Sequence, residues 1–141
     1  MARTLSSSKI GAELYSDPDN IYVNETVPQN TNITSDTILL GRTLHGLELV
    51  VEAGSTAIGL ASTEILTISI AIEETDSFTS STFETLYTRT FGTSETIAVG
   101  TELVRYVVPT DKGSYARLRI ATDDTAATGT ITARIASVKK A

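Results

Sequence analysis

Three groups of carboxylates are the first candidates for chemistry in this chain of 141 residues. They are Asp17-Pro18-Asp19-Asn20, Glu73-Glu74-Thr75-Asp76 and Asp123-Asp124. A calcium ion needs roughly six to eight oxygen ligands, and the EF-hand loop requires alternating acidic residues, a central glycine and a terminal glutamate. None of the three groups has that pattern. Because Asp and Asn side chains bond their own backbone in turns, we interpret the first and third groups as turns and the second as a solvated loop.

The chain has a single histidine, His45, and no cysteine. One histidine cannot build a histidine-based metal site, and the lack of cysteine excludes disulfides, thiolate zinc sites and cysteine nucleophiles. A catalytic triad would need a nucleophile and an acid that no spacing places beside His45. A glycosidase-type carboxylate pair stays open, because any two carboxylates can meet in space, although no spacing favours one. We therefore predict no catalytic residue, no metal site and no cofactor, and expect that the protein is not an enzyme.

Arginine and tyrosine side chains form a second distinctive set. Tyr106 and Tyr115 are predicted to lie in facing strands, with Arg105, Arg117 and Arg119 nearby. Such side chains are enriched in protein interfaces. They also pair across the strands of one sheet, where arginine stems cover apolar surface. Both interpretations stay open. Two charges of the N-terminal arm complete the set, so that the candidate interface residues are Arg3, Lys9, Arg105, Tyr106, Tyr115, Arg117 and Arg119.

Residues 103–121 are expected to hold most of these side chains on a β-hairpin. Alternation along the second strand places Arg117 and Arg119 on one face, and Leu118 and Ile120 on the other. In the first strand we expect Val107 to point inward. The turn between the strands is predicted from residues with turn chemistry, Gly113 supplying a positive φ; these residues are Pro109, Asp111, Lys112 and Gly113. A second hairpin is predicted over residues 117–135, with Asp123-Asp124 in its turn.

The remaining strands are predicted from alternation and from β-branched residues, which pack well on pleated strands. The most regular stretch is 65–73, where Leu66, Ile68, Ile70 and Ile72 share one face, and we expect it to be a central strand. Further strands are predicted at 34–40, 47–52, 82–91, 96–99 and 130–138. Residues 13–24 are predicted to form two short extended pieces around a turn, and 56–63 and 74–81 to be loops. Together these features predict an all-β, single-domain antiparallel β-sandwich or jelly roll of about eight strands.

Length and charge limit the organisation and the partners. We expect a flexible N-terminal arm over 1–12, one β-sandwich domain over 13–138 and a short tail over 139–141. The net charge of −6 argues against nucleic acid and anionic membranes as partners, because both require a basic surface. No apolar run resembles a signal peptide or a membrane span, so we expect synthesis in a cytosol.

Several segments, taken in order over residues 14–135, resemble the small jelly-roll capsid cement (decoration) proteins of tailed bacteriophages. These segments read ELYSDPDNI, TNITSDTILLG, ILTISIAIEETDSFTSSTFETLYT, RYVVPTDKGSYARLRI and GTITARI. The matching residues are Leu14, Ser16, Asp17, Ser35, Thr37, Leu40, Gly41, Asp76, Phe78, Ser80, Ser81, Leu86, Tyr115, Arg117, Leu118, Arg119, Gly129, Thr132, Ala133 and Ile135.

The resemblance implies a non-enzymatic virion protein made in the bacterial host cytoplasm. It implies a homotrimer that sits on the outer capsid surface and ties neighbouring major capsid subunits together, with neither nucleic acid nor membrane as a partner. One alternative is a phage-particle β-sandwich module that binds carbohydrate or a host surface. That function would need exposed aromatic rings, for which the chain offers five tyrosines but no tryptophan.

Overall fold

The computed structural model describes residues 3–4, 19–40, 47–75, 78, 82–109, 113 and 115–137. Every regular element in this part of the chain is a β-strand, and none of it is a helix that could cross a membrane. The strands are β1 (Arg3–Thr4), β2 (Asp19–Thr26), β3 (Thr31–Thr34), β4 (Ile38–Leu39), β5 (Leu47–Ala53), β6 (Ile58–Gly59), β7 (Ile65–Glu73), β8 (Glu84–Thr90), β9 (Thr96–Ile97), β10 (Glu102–Val108), β11 (Tyr115–Thr122) and β12 (Thr130–Ser137).

Two sheets form the sandwich. The larger has the order β1-β4-β11-β7-β8, with β3 also paired to β11, and the smaller has the order β10-β5-β12-β2. β6 and β9 form a separate two-stranded pair. If β4 is taken as the continuation of β3, the fold has eight longer strands, which in chain order are β2, β3/β4, β5, β7, β8, β10, β11 and β12. Numbered 1 to 8 in this order, the smaller sheet has the strand order 1-8-3-6 and the larger sheet 2-7-4-5, which is the jelly-roll arrangement. The predicted all-β sandwich of about eight strands is confirmed. The pairing of β1 with β4 is parallel, unlike the other strand pairs of the described chain.

Both predicted hairpins are wrong. β10 pairs with β5 in the smaller sheet, whereas β11 pairs with β7, β3 and β4 in the larger one. β12 then returns to the smaller sheet, between β5 and β2. In a jelly roll most connections cross from one sheet to the other, so strands that follow each other in sequence need not pair. The pair β7–β8 is an exception, because these consecutive strands lie side by side.

β11 carries the most regular alternation of the fold. Its burial pattern is strictly two-residue, with Ala116, Leu118 and Ile120 fully buried and the odd-numbered residues half-buried on the outer face. The predicted central position of β7 is also confirmed, since it lies between β11 and β8. The core is built from inward residues of both sheets together with Leu40, Ile58 and Phe91 from outside them. The largest fully buried side chains are Phe91, Leu40, Leu47, Leu49, Ile58, Leu66, Ile68, Leu118, Ile120, Ile131 and Ile135.

The expected inward position of Val107 is wrong. Val107 pairs with Glu48 on the outer face of the smaller sheet and is 66% exposed. Its neighbours Tyr106 and Val108 point inward, opposite the buried Leu49 and Leu47. Side-chain alternation fixes the direction of Val107, and its apolar character does not override the pleat.

The single strand predicted at 34–40 is broken in two. β3 ends at Thr34 and β4 begins at Ile38, and the intervening Ser35 and Thr37 are buried. The Ser35 hydroxyl accepts a hydrogen bond from the Leu118 backbone N–H at 2.9 Å, and the Leu118 carbonyl accepts one from the Ser35 N–H at 2.8 Å. The Ser35 side chain thus replaces a backbone carbonyl as the acceptor for the Leu118 N–H of β11. The chain between β3 and β4 can therefore bend without leaving this buried donor unpaired.

Two glycines allow close backbone approach. Gly129 has φ +110°, and a Cβ there would lie 2.5 Å from the Ala57 carbonyl oxygen. Gly113 was expected to supply a positive φ, but it does not; a Cβ at this position would instead collide with the Glu73 backbone. Each position therefore requires glycine, the first for conformation and space and the second for space alone.

Asp124 joins three connections between strands. Its carboxylate accepts hydrogen bonds from the N–H groups of Ala61 (2.7 Å) and Ala126 (2.8 Å), and its carbonyl accepts one from Asn30 (3.0 Å). The residue is only 6% exposed. The predicted turn at Asp123-Asp124 is confirmed, and the Asp124 side chain also secures the β6–β7 connection.

We expect Asp124→Asn to lower the free energy of unfolding by about 1–3 kcal/mol, because the amide oxygen is a weaker acceptor for one backbone N–H and the NH2 group faces the other donor instead of accepting from it. Urea unfolding followed by circular dichroism measures this change. The exposed neighbour Thr125→Ala is the control and should change stability by less than about 0.5 kcal/mol. Equal stabilities for wild type and Asp124→Asn would contradict the assigned role.

Candidate protein interface on the outer face of the six-stranded sheet

Arg117 and Arg119 lie next to each other on the outer face of β11, each stacked on a phenylalanine. The Arg117 guanidinium carbon is 4.7 Å from the centre of the Phe78 ring, and that of Arg119 is 3.7 Å from the centre of Phe83. Both rings belong to the connection between β7 and β8. Cation–π attraction of this kind contributes about 0.5–1 kcal/mol at partly exposed sites. The two arginines therefore help to fix this connection over the sheet.

Each arginine also donates through Nε to a threonine hydroxyl. The Arg117 Nε–H reaches Thr37 Oγ1 at 3.0 Å, and the Arg119 Nε–H reaches Thr34 Oγ1 at 3.5 Å, a long contact. Thr34 is the cross-strand partner of Arg119. These bonds orient the guanidinium groups from the side opposite to β7.

The outer face beneath the arginines is made of small residues. Ala71 and Ser69 of β7 are the cross-strand partners of Arg117 and Arg119. Both are buried although they face outward, because the larger arginine and phenylalanine side chains cover them. Tyr115, the third outward residue of this set, is half-buried and pairs with Leu39 of β4 and Glu73 of β7. Tyr115, Arg117 and Arg119 thus form one row, as alternation predicted.

Arg105 belongs to the opposite side of the sandwich. It lies on the outer face of the smaller sheet, where its guanidinium bonds Glu48 and Glu102, the latter at 2.6 Å. The hydrogen bond from Arg105 lowers the pKa of the Glu102 carboxyl and raises the pKa of Arg105.

A second ion pair accompanies it, from Arg134 to Glu52 at 3.0 Å. Val50 is the cross-strand partner of both Arg105 and Arg134 and is only 6% exposed, so the two stems cover it. Arg105 and Arg134 are thus both paired with glutamates of the same sheet.

The predicted candidates therefore do not form one surface. Tyr106 points inward from β10, and burial raises the pKa of its phenol. The arrangement of Tyr106 and Tyr115 on facing strands is wrong, because their strands belong to different sheets. Arg3 lies in β1, paired with Ile38, and Lys9 lies outside the described residues, as does His45.

Four residues of the outer face escaped the sequence analysis as interface candidates: Phe78, Phe83, Thr34 and Thr37. Phe78 lies in a polar connection where no periodicity assigns it a face, and Phe83 falls in the strand predicted at 82–91 but precedes β8, which begins at Glu84. The one signal in the sequence is their apolar character, because an aromatic ring in a Ser- and Thr-rich connection is expected to pack against another part of the protein.

One pair of carboxyls meets at the end of the sandwich. Glu64 and Asp123 share a hydrogen bond, which raises the pKa of Glu64. Asp123 accepts the Ile65 N–H at 2.6 Å, which lowers its own pKa. Retaining and inverting glycosidases place their two carboxyl groups roughly 5–9.5 Å apart, whereas these two are in direct contact. The pair links the residue before β7 to the residue after β11. Among the described residues there is no acidic or histidine cluster suited to a metal ion.

A cleft of about 190 Å³ separates β2 from the β3–β4 bend. Its lining consists of Asn20, Ile21, Ser35, Asp36, Thr37 and Ile38. The Tyr22 hydroxyl is buried and has no hydrogen-bond partner among the residues that the structure describes, and burial, followed by the charges of Glu25 and Asp36, raises the pKa of Tyr22 to about 12.

Comparison with known proteins gives fold-level likenesses only. No family model matches the chain, and no curated protein matches its sequence. Similar solved structures include the VP2 subviral particle of infectious bursal disease virus, with 13% identity, 88% of this chain and 32% of that chain covered, and a TM-score of 0.47. The structure of the Gx strain of the same virus has 14% identity and a TM-score of 0.45, with 85% of this chain and 31% of that chain covered. The T13 viral particle of this virus has 14% identity and a TM-score of 0.43, with 88% of this chain and 31% of that chain covered. The chain thus spans about a third of the length of the structures it matches.

Tyr22 should ionise at a higher pH than an ordinary tyrosine. Since its folded pKa of about 12 exceeds the ordinary value of 10.0, the stability linked to this phenol is present below pH 10 and is lost as the pH rises toward 12. Alkaline titration of tyrosine absorbance should show a late step that Tyr22→Phe removes. Removal of a step near pH 10 instead would contradict the burial of this hydroxyl.

The Arg119–Phe83 contact should show a favourable coupling of about 0.5–1 kcal/mol in a double-mutant cycle of Arg119→Gln and Phe83→Leu. Free energies of unfolding of the four proteins give this value. The matched control cycle pairs Arg105→Gln with Phe83→Leu, which lie on opposite outer faces and should show no coupling. A zero value for the first cycle, or equal values for both, would refute the stack.

Proposed function

We propose that this chain is a structural, non-enzymatic protein of a phage virion, which binds the outer capsid surface and cements neighbouring major capsid subunits. The support comes from the sequence resemblance to phage cement proteins together with the jelly-roll architecture that the resemblance implies. The proposal includes the homotrimer of that family and synthesis in the bacterial host cytoplasm.

One structural observation carries most weight: separated segments of the resemblance meet in the fold. Ser35 and Thr37, from the early segment, bond Leu118 and Arg117, from the late one, across 83 and 80 positions of sequence. Phe78, from the middle segment, stacks on the same Arg117. Residues that were matched independently along the sequence therefore form one connected cluster around β11. A chance match of scattered strands and turns would not require such contacts.

A cement role also fits the physical demands on the chain. A clamp that contacts several coat subunits at once gains avidity, because the second and third contacts form at a high effective concentration. Closed cyclic symmetry lets a single polypeptide present the same face three times around a local threefold axis. A rigid sandwich with an outward cationic row offers such a face.

The carbohydrate-binding alternative gains no specific support. Sugar stacking needs an exposed aromatic patch, and the four described tyrosines, Tyr22, Tyr87, Tyr106 and Tyr115, are half-buried and spread over four strands. Three of them, Tyr22, Tyr87 and Tyr106, pack against the core.

Purified protein should bind saturably to undecorated, expanded heads of the phage whose genome encodes it, and light scattering should give the mass of a trimer. Co-sedimentation over a concentration series measures the binding, and unexpanded proheads serve as the control surface. Absence of binding to expanded heads would overturn the cement role. Binding by a monomer or dimer would retain that role and reject the trimer.

A further inference from the structure

The arginines of the two outer faces differ in what neutralises them. The structure describes five arginine side chains in addition to the backbone of Arg3. Three of them contact carboxylates: Arg89 with Glu95, Arg105 with Glu48 and Glu102, and Arg134 with Glu52. Arg117 and Arg119 have no carboxylate within 4.0 Å among the described residues. In a chain with net charge −6, two adjacent arginines without an acidic partner in the described sheet form a local exception.

The contacts of Arg117 and Arg119 hold the guanidinium groups through Nε and one planar face, and no described residue occupies their outer nitrogens. A phenylalanine ring stacks on one face of each planar guanidinium group, and the Nε–H of each arginine donates to a threonine hydroxyl. The terminal NH1 and NH2 groups have no hydrogen-bond partner among the described residues. A guanidinium held in this way is a rigid fork that can bind a carboxylate through two parallel hydrogen bonds, and less side-chain freedom is lost when it does so.

The spacing of the two forks defines the partner. Residues i and i+2 of a strand project to the same face roughly 6.5–7 Å apart. Two carboxylates at a similar distance occur at positions i and i+2 of a strand, or near each other on one helix face. From this geometry we propose that Arg117 and Arg119 dock a pair of Asp or Glu side chains on the major capsid subunit. This inference rests on the proposed cement function and names the face that binds.

Carboxylates are favoured over the phosphates of nucleic acid by the charge of the whole chain. Binding to a duplex depends on many cations that neutralise successive phosphates along its length. The outer face offers two, in a chain whose other described arginines are already paired with glutamates. Two neighbouring guanidinium groups suit a short acidic motif better than a continuous polyanion.

The decisive variants are Arg117→Gln/Arg119→Gln and the matched control Arg105→Gln/Arg134→Gln. Each removes two positive charges, so both have the same net charge, but they alter opposite faces. We expect the first to weaken binding to expanded heads at least tenfold and to flatten its decline with salt, while the control stays within threefold of wild type. Equal losses for the two variants, or an unchanged affinity for the first, would overturn the inference. Thermal unfolding of both confirms that each is folded.

A second measurement separates this inference from the cement function. A synthetic peptide with glutamate at alternate positions, separated by threonine, is titrated into the wild-type protein while the arginine Nε–Hε signals are followed by NMR. Signals of Arg117 and Arg119 should shift, and those of Arg105 and Arg134 should not. If wild type fails to bind heads but these shifts occur, the cement function falls and the carboxylate site stands. If heads are bound but the shifts are absent, or a DNA duplex produces them more strongly, the carboxylate site is wrong.

Discussion

The alternation of side chains along β11 is the constraint on which the rest of the molecule depends. Its even-numbered residues must enter the core, so Arg117 and Arg119 must face outward. Because the strand lies in the interior of the larger sheet, both its hydrogen-bonding edges are occupied, by β7 on one side and by β3 and β4 on the other. A one-residue slip would drive two guanidinium groups into the core, at a cost that no partner there offsets. The position of the cationic row is therefore as firmly specified as the core itself.

The parts of the fold that follow from local periodicity were predictable from sequence. The inward Leu66, Ile68 and Ile70 of β7 and the two faces of β11 were identified from alternation alone, because burial and pleat impose the same period. The pairing of strands was not predictable in this way. The chain crosses between sheets at the turn after Val108 and again after Thr122, and turn residues such as Gly113 and Asp124 have the same appearance whether the chain returns to the same sheet or changes sheets.

The candidate site was predictable only in its arginines. Their position on an outward face follows from period two, but the choice between an internal role and an interface depended on Phe78, Phe83 and Thr37, which lie outside strands. The structure shows the internal role, in the contacts of Arg117 and Arg119 with Phe78, Phe83 and two threonines, and we propose that the interface role accompanies it. The guanidinium groups stack on Phe78 and Phe83 of the β7–β8 connection, and their terminal nitrogens have no hydrogen-bond partner among the described residues. Arg105, which has the same residue type and a similar strand context, is instead neutralised by Glu48 and Glu102.

Two outer faces with different charge chemistry suggest a division of labour. The described arginines of the smaller sheet are paired with glutamates of the same sheet, whereas we propose that Arg117 and Arg119 of the larger sheet bind a partner. Cryo-electron microscopy of expanded heads saturated with the purified protein tests the proposed cement role most directly. The account predicts added density that bridges coat subunits, with the outer face of the six-stranded sheet, and Arg117 and Arg119, against the shell. Heads without added density, or density that presents this face to solvent, would contradict it.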